Sequence, residues 1–600
     1  MKALSAGLTF VNVSTVCALL LGVVGNGLGP FIAAFSLALG LVAAFAAYLG
    51  TFDPEILEQE PGKAARQRYS GVWFWIMALV FAIFAVRSFC WLLYIEGEEL
   101  RIQSTNNLGD LALHITYIKD FANGVPLWPA NPIFPFGKLR YPAGTDLFNA
   151  LLLLLNVDLI RGLVWAGLAG ALATFYALYR WGKLFTVAGF LFNGGIMGFQ
   201  LLNTLLVNHR LEFVDYQGDK TIAWKSIPLA MFVTQRGLLY AIPAGLILLW
   251  HWREKFFRNK PDRPGPLPFW VELSLYASMP LFHVHTFLAL MVVLVCLFVF
   301  GDPPRRGHIL TLVASALLPA TFFVWLITDH FNASSVVQWH PGWLMRKEAG
   351  DLYHPFFKFW FLNFGFWMPL ILLLFGLRAW RAATAKLLRK GAWPEDLAFL
   401  IPAMVIFIVA LLWKFAPWEW DNLKIMIWGY LLVLPCLWTD LIAKWSLPVR
   451  TGICLALFGS GFVSLFGGLA VPGYSFANRG EVDAVGLATQ KLPGNARFAA
   501  FPTYNHPLLL QGRNTVLGYG GHLWTQGFEY FRINDMLKAA MEGKGDWRGT
   551  ARRLGARYLF WGREERINYP ESTHPWEGSL TPVARGDWGE IYDLESNALP

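Results

Sequence analysis

Long apolar runs separated by short polar connections make up most of the chain before residue 471. A helix needs about 20 apolar residues to cross the hydrocarbon core of a bilayer, and most of these runs approach that length. The hydropathy pattern therefore predicts membrane helices at residues 6–25, 29–50, 71–95, 158–179, 185–206, 229–251, 308–328, 357–377, 397–414, 425–443 and 451–470.

The apolar segment 269–301 predicts a different element. A helix of that length spans about 50 Å, too short for two crossings of about 30 Å each. A single crossing would place the basic residues within 378–390 on the side opposite all other basic connections. We therefore predict a broken hairpin with its proline-containing apex at 279–283, because irregular backbone at membrane depth is tolerated only against protein or a watery cavity. That cavity should lie near His283 and His285.

Beyond residue 475 the pattern becomes that of a soluble α/β domain. Strand-like runs at 497–501, 515–518 and 557–561 alternate with helix-like stretches such as 528–541. The predicted fold class is an all-α polytopic membrane protein of about 11–13 transmembrane segments, including the broken hairpin, with a small C-terminal α/β domain. The predicted domains are a membrane domain at 1–475, with outer loops at 96–157 and 207–228, and a soluble extracytoplasmic domain at 476–600.

The composition supports this class: 56% of the residues are hydrophobic and 15% are charged, whereas soluble proteins carry about 25% charged residues. The net charge of +9 is spread over short connections, so it indicates membrane topology rather than nucleic-acid binding. All five cysteines lie in apolar spans without a CxxC pair, which excludes a disulfide framework and a thiolate metal site. If the basic connections are cytoplasmic, the outer segments are 96–157, 207–228, 329–356, 414–424 and the chain after 471.

The first outer loop contains Asp110 and His114, which are four residues apart and would share one face of a helix. Asp110 could be the N-cap of that helix, because aspartate is a favoured capping residue. A carboxylate at the mouth of a membrane cavity would equally suit a general base. The spacing alone leaves both interpretations open.

The second outer loop offers Glu212 and Asp215, which could face together across one helical turn or simply be solvated. Gln235 and Arg236 follow within the outer end of the span at 229–251. An arginine below the membrane surface usually has a partner or a function. It could extend to the interface, or it could bind a lipid-linked phosphate with its guanidinium.

A third group, Asp421, Asn422 and Lys424, occupies a short connection between two spans. Lys424 opens a membrane helix at the depth of a phosphate head group. His283 and His285 are weak metal candidates, because residues two apart on a helix point away from each other. No cofactor is predicted with certainty, and a divalent cation bound by carboxylates and histidines would be magnesium or manganese.

The first outer loop contains three motifs: Gly109-Asp110-x-x-x-His114, Phe121-x-x-Gly124-x-Pro126 and Tyr141-Pro142-x-Gly144. With these motifs the loop resembles that of the GT-C superfamily of glycosyltransferases. Two additional spans precede the span that usually opens this fold, and no Asp-x-Asp signature is complete, which leaves the sugar undetermined.

The resemblance implies a multi-pass enzyme of a bacterial plasma membrane with a polyprenyl-phosphate-linked sugar donor and a glycan, lipid or protein acceptor. It implies that Asp110 is the general base of an inverting transfer and that His114 orients Asp110 or contacts the sugar. A second acidic position would be Glu212 or Asp215. The remaining substrate-binding candidates are Tyr141, Gln235, Arg236, His283, His285, Asp421, Asn422 and Lys424.

Two other functions are compatible with the sequence. Broken helices and buried charges suit a transporter or flippase of a lipid-linked or polar substrate, although such proteins usually contain an inverted repeat that this chain lacks. A non-catalytic assembly or sensor protein would explain the C-terminal domain, but not Arg236 and Lys424 inside the membrane.

Overall fold

Helices dominate the computed structural model, which describes residues 1–53, 64–216, 222–258, 265–334, 336–345, 356–384 and 394–596. The helices before residue 471 are α1 Lys2–Val24, α2 Pro30–Gly50, α3 Ala64–Phe89, α4 Leu108–Ala122, α5 Gly144–Leu154, α6 Leu159–Leu191, α7 Gln200–Asn208, α8 Leu238–Arg253, α9 Phe269–Ala277, α10 Met279–Phe282, α11 Val284–Phe300, α12 Pro303–Ile327, α13 Phe356–Phe364, α14 Trp367–Thr384, α15 Glu395–Leu412, α16 Leu423–Asp440 and α17 Leu447–Ala470.

Some of the helices begin at a side-chain cap. The Asp158 carboxylate accepts the backbone N–H of Arg161 at 3.1 Å before α6. The Asp302 carboxylate accepts that of Arg305 at 3.1 Å before α12. Pro30 is the first residue of α2. Backbone N–H groups in the first turn of a helix have no intrahelical acceptor, so the N–H that proline lacks costs no hydrogen bond there.

Within the described ranges, eight helices are long and apolar enough to cross a membrane, or nine if the bent pair α13 and α14 forms one span. This number is smaller than the 11–13 segments predicted, because several apolar stretches fold as shorter or broken pieces. A π-helix at Ile227–Phe232 precedes α8, which reduces the predicted span 229–251 to a helix of 16 residues. The helical membrane fold itself is as predicted.

The predicted span 185–206 is also corrected by the structure. Non-helical backbone at Gly182 and Lys183 breaks α6, and the helix ends at Leu191. A Cβ atom on Gly195 would lie 1.9 Å from the carbonyl oxygen of Leu362, so the chain passes another backbone too closely for a helix with side chains. Helix α7 then follows with every residue at least partly exposed.

The broken hairpin at 269–301 is confirmed. Extended backbone at His283, with φ of −161°, separates α10 from α11. The two ends of the hairpin that are remote from its apex both contact the start of α12. His308 lies 2.9 Å from Glu272 of α9, and Arg306 donates to the carbonyl oxygen of Phe298 of α11 at 3.0 Å. The chain therefore enters and leaves at the same end of the helix bundle.

The bundle has two chemically different ends. At one end the basic connections meet, with Arg180 paired to Asp53 at 2.7 Å and Lys255 bonded to His308 at 2.8 Å. At the other end lie the long loops, with short strands β1 Tyr94–Glu96, β2 Glu99–Ile102, β3 Ala130–Asn131, β4 Phe134–Lys138, β5 Gln338–Trp339 and β6 Trp413–Lys414. We call the end with the long loops the loop end.

The C-terminal part forms the expected α/β unit. Strand β7 Tyr474–Asn478 pairs antiparallel with β2, so the predicted domain boundary at 475/476 falls inside a strand that joins the two parts. A five-stranded mixed sheet follows, in the order β11, β12, β10, β8, β9. Its strands and the accompanying helices are β8 Arg497–Ala499, β9 Asn514–Thr515, β10 Tyr558–Gly562, β11 Pro582–Gly586, β12 Gly589–Asp593, α18 Arg479–Thr489, α19 Pro507–Leu510, α20 Gly520–Thr525, α21 Phe531–Met541, α22 Trp547–Arg553 and α23 Arg563–Asn568.

Candidate functional site

Asp110 lies in the first turn of α4 at the loop end. Asn107, not Asp110, holds the N-cap position of this helix, so the capping interpretation of Asp110 is wrong. The half-buried Asp110 carboxylate instead accepts a hydrogen bond from the Gln235 side chain at 3.3 Å. It also interacts electrostatically with His114, Lys424 and Asp421. Four sequence-predicted residues therefore gather around one carboxylate.

Burial is the main reason that the pKa of Asp110 is raised above its ordinary value. The Asp421 carboxylate adds to the increase, whereas His114, Lys424 and the Gln235 hydrogen bond oppose it. A carboxylate with a raised pKa is a stronger base than a solvated one. This environment suits proton abstraction from a neutral hydroxyl group.

Lys424 supplies the positive charge of the site. Its ammonium group lies 2.9 Å from Asp421, and it interacts electrostatically with Asp110, His283 and His285. The residues come from the start of α16, the apex of the broken hairpin and α4. The hairpin apex therefore reaches the same site as the first outer loop.

The hydrogen bonds of His283 determine its tautomer. The backbone N–H of Thr286 donates to Nδ1 at 3.1 Å, so the proton of a neutral ring resides on Nε2. The Nε2 atom is buried and has no hydrogen-bond partner among the described residues. It is therefore an available donor beside Lys424.

His114 is bound to a residue that the sequence analysis missed. Its Nδ1 atom lies 2.9 Å from both carboxylate oxygens of Asp146, in the first turn of α5. His114 and Asp146 are 1% and 0% exposed, so the pair is sealed from water. The available sequence signal was a carboxylate at the start of the apolar run 147–155, directly after the Tyr141-Pro142-x-Gly144 motif.

Arg236 lies behind this pair rather than in the open part of the site. It is 1% exposed, and its Nη2 atom donates to the carbonyl oxygen of Leu163 at 3.4 Å. Asp146 is its electrostatic partner. The structure therefore connects Arg236 to Asp146 and, through Asp146, to His114.

Aromatic and imidazole rings surround the Asp110 turn. The Tyr141 ring packs edge-on against His114 at 5.6 Å and contacts Tyr117 at 5.5 Å. His522 comes from the C-terminal domain: a Cβ atom on Gly109 would lie 3.2 Å from its Nε2 atom. Burial, and next the His114 charge, lower the pKa of His522 to about 4, so its ring is neutral near pH 7. Nothing in the sequence around His522 indicated that this residue lies beside Asp110.

Three other predicted site residues have different surroundings. The Asn422 side chain binds the backbone that precedes it: it accepts the Phe415 N–H at 2.9 Å and donates to the carbonyl oxygens of Ala410 and Trp413. Asp215 accepts a hydrogen bond from Ser464 of α17 at 2.9 Å. Glu212 is exposed, and residues 209–215 are irregular rather than a helical turn.

One group of metal-ligand type, His251, Glu272 and His308, occurs among the described residues, at the basic end. The N–H of Leu267 donates to His251 Nδ1 at 3.0 Å, so a neutral His251 carries its proton on Nε2, facing Glu272 at 3.3 Å. A protonated nitrogen cannot coordinate a metal ion. The group therefore fits a hydrogen-bonded network better than a metal site.

The residues around Asp110 also fit a divalent cation poorly. The Asp421 carboxylate is paired with Lys424, and His283 and His285 both interact electrostatically with the same ammonium group. Lys424 therefore already supplies a cation at the Asp421 carboxylate. We therefore assign no step to a metal ion.

A cavity of about 440 Å³ lies at the basic end, between α6, α8, α14, α15 and α16. Its charged side chains largely pair with one another. Arg378 pairs with Asp396 at 2.7 Å and with Asp440, and Arg258 donates to Glu395 at 2.9 Å. This pairing is typical of ion pairs that tie helices together.

No family model matches the chain, and the search of curated proteins found no match. The solved structures that are similar to it include two enzymes with bound lipid phosphates. The archaeal oligosaccharyltransferase AglB from Archaeoglobus fulgidus, in complex with an inhibitory peptide and a dolichol-phosphate, has a TM-score of 0.36 and 15% identity over 83% of this chain and 70% of that chain. ArnT from Cupriavidus metallidurans, bound to undecaprenyl phosphate, has a TM-score of 0.41 and 12% identity over 88% of this chain and 99% of that chain.

Proposed function

We propose that this chain is an integral membrane glycosyltransferase. It moves a hexosyl or pentosyl group from a polyprenyl-phosphate carrier to an acceptor hydroxyl on a glycan, lipid or protein at the loop end. The observation that carries the proposal is that separate parts of the chain meet at one site: Asp110 accepts a hydrogen bond from Gln235 at 3.3 Å and interacts electrostatically with Lys424, whose ammonium group lies 2.9 Å from Asp421. A base and an anion-binding cation are the two groups that such a transfer requires.

In this reaction the Asp110 carboxylate takes the proton of the acceptor hydroxyl. The hydroxyl oxygen forms a bond to the anomeric carbon of the sugar while the bond from that carbon to the carrier phosphate breaks. The phosphate leaves with the electron pair of that bond. Because the attack occurs opposite the leaving group, the configuration at the anomeric carbon inverts.

Lys424 and His283 would bind the carrier phosphate as its negative charge develops. Lys424 provides a full positive charge, and His283 provides the Nε2–H donor that has no partner among the described residues. A buried donor and cation stabilise an anion more strongly than water does. His285 interacts electrostatically with Lys424, and Gln235 donates a hydrogen bond to Asp110 at 3.3 Å.

Arg236 has a supporting role in this proposal instead of the phosphate-binding role considered from the sequence. Its guanidinium is buried against Leu163 and the charge of Asp146. Asp146 in turn fixes the ring of His114 by hydrogen bonding to Nδ1. These three residues would hold the Asp110 face of α4 in position, as supporting hydrogen bonds do in other sites.

The basic end would face the cytoplasm, because positively charged connections are retained on that side of a membrane. The loop end and the C-terminal domain would then be extracytoplasmic, in the plasma membrane of a bacterium. Carrier lipid would approach Lys424 from the outer leaflet.

The test uses the full-length protein in nanodiscs with polyprenyl-phosphate-linked sugars that carry a radiolabel in the sugar. Release of free polyprenyl phosphate is measured together with transfer of label to envelope extracts. Wild-type protein should release the carrier, and Asp110→Asn should reduce release by about 10²–10⁴-fold.

Asp535→Asn is the matched control, because Asp535 is an exposed carboxylate on α21. It should retain full turnover. A donor that crosses the bilayer of sealed proteoliposomes without being cleaved would indicate a flippase. Full carrier release by Asp110→Asn would remove Asp110 from the mechanism.

A further inference from the structure

The C-terminal domain places one segment over the candidate site. This cap segment, residues 518–528, contains α20 and lies between the two outer loops that carry Asp110 and Asp421. On one side Gln526 donates to the hydroxyl of Tyr117 of α4 at 2.9 Å. On the other side the Trp524 ring packs edge-on against Trp418 at 4.7 Å. The segment is thus fixed against both halves of the site.

Additional contacts fix the cap segment on the first outer loop. The backbone N–H of Gly518 donates to the carbonyl oxygen of Ile133 at 2.8 Å. Arg140 donates to the carbonyl oxygen of Gly527 at 3.0 Å, and its guanidinium covers the Phe528 ring at 4.0 Å. These contacts hold the side chains of α20 in a defined position relative to Asp110.

Aromatic rings that are partly open to solvent border this segment. Tyr519, Trp524 and Trp418 are 43%, 43% and 46% exposed. Tyr519 contacts His522 at 5.2 Å, and His522 contacts the Gly109 turn beside Asp110. The aromatic surface is therefore continuous with the candidate base.

We propose that this surface is the acceptor subsite and that it binds a saccharide. The proposal rests on the proposed function and specifies its acceptor class. A sugar ring has an apolar C–H face, which stacks on aromatic rings, and hydroxyl groups, which need hydrogen-bond partners. Trp524, Tyr519 and Trp418 supply the first kind of contact and His522 supplies the second.

The surroundings of the His522 ring suit the binding of a saccharide hydroxyl group. Its ring is half-buried, and its side chain has no hydrogen bond to the described residues. Because it is neutral near pH 7, it can both donate to and accept from a hydroxyl group. A saccharide hydroxyl bound there lies beside the turn that holds Asp110, the group that would take its proton.

The test measures binding separately from turnover. Fluorescently labelled oligosaccharides of hexoses, N-acetylhexosamines and uronic acids are titrated with the full-length protein in detergent, and anisotropy is recorded. A matched set of labelled peptides serves as the competing acceptor class. At least one oligosaccharide should bind, and Trp524→Ala should weaken that binding on the order of tenfold. His522→Ala should weaken it as well, with partial recovery in His522→Gln.

The control is Leu487→Ala on α18, because Leu487 is 66% exposed on the same domain and outside the cap segment. Its binding should equal that of wild type. The proposal is overturned if no oligosaccharide binds, if peptides alone bind, or if Trp524→Ala binds as tightly as wild type. Carrier release from the donor is scored independently, so a protein that binds oligosaccharides but never releases carrier would refute only the enzymatic function.

Discussion

His114 and Asp146 form a buried pair in which Nδ1 lies 2.9 Å from both carboxylate oxygens. The pair joins α4 to α5, so it fixes the helix face that also carries Asp110. Because Nδ1 donates to the carboxylate, Nε2 of a neutral His114 retains a lone pair. The pair therefore fixes the orientation of the His114 ring within the site.

Asp146→Asn should lower the turnover number by about 10–100-fold, with little change in the KM for the donor. The amide keeps the size of the side chain but loses the charge that orients His114 and compensates Arg236. Steady-state kinetics with donor lipid would measure the effect. A thermal unfolding transition within a few degrees of wild type would show that the protein remains folded, and unchanged turnover would exclude the supporting role.

Removal of the Lys424 charge should move the acidic limb of the pH–rate profile to higher pH. The ammonium group stabilises the ionised form of Asp110, so it lowers the pKa of that carboxyl group. Lys424→Gln removes this stabilisation, and the pKa of Asp110 then rises further above its ordinary value. Because the base must be ionised, turnover is lost at a higher pH than in wild type. The maximal rate should also decrease by about 10²–10³-fold.

The profile of kcat/KM between pH 4 and 8 checks this prediction. Lys444→Gln is a suitable control, because Lys444 also belongs to the α16 region but lies at the opposite end of that helix. If the acidic limb of Lys424→Gln coincides with that of wild type, Lys424 and Asp110 are not coupled in solution.

Arg236→Ala should destabilise the protein rather than selectively weaken carrier binding. The guanidinium is 1% exposed, and its removal leaves both a cavity and an uncompensated Asp146. We expect a loss of about 2–5 kcal/mol of unfolding free energy, as for other large-to-small substitutions in packed interiors. Urea or thermal unfolding in detergent would measure it. Normal stability combined with weak donor-lipid binding would instead restore the direct phosphate-binding role.

Gly109→Val should displace the cap segment. Even a Cβ atom at this position would lie 3.2 Å from the Nε2 atom of His522, and the additional methyl groups of valine require more space. Hydrogen exchange of residues 518–528 should become faster, and turnover should fall. Combining Gly109→Val with His522→Ala should partly restore the protection, because the clashing ring is then absent. Equal exchange in all three proteins would show that the two residues do not touch.

The orientation of the two ends can be tested by cysteine labelling in a background without the five native cysteines. A cysteine at Leu487, in the C-terminal domain, should react with an impermeant reagent from outside intact cells. A cysteine at Arg258, which is at the basic end, should react only after lysis. Position 393 would be a further cytoplasmic probe by the charge rule, although it lies outside the described residues. The reverse pattern would invert the proposed topology.

Much of the helical framework could be predicted because hydropathy and charge are local properties of the sequence. The break at His283 followed from the length of the apolar segment and its proline. The uninterrupted span at 185–206 could not be excluded in this way, because the close approach of Gly195 to Leu362 is a long-range contact. The sequence also suggested a functional role for Asn422, whose side chain in the structure donates to the backbone of Ala410 in α15 and of Trp413.

The sequence by itself determined a multi-pass helical protein with one basic end, and it identified Asp110, His114 and Lys424 as candidate site residues. Its periodicity, charge and outer-loop motifs were sufficient for that. The tertiary structure decided which polar residues meet: it brought in Asp146 and His522 and moved Arg236 behind the site. Side chains from separate helices and from another domain come together only through packing, and no local pattern encodes the distance between them.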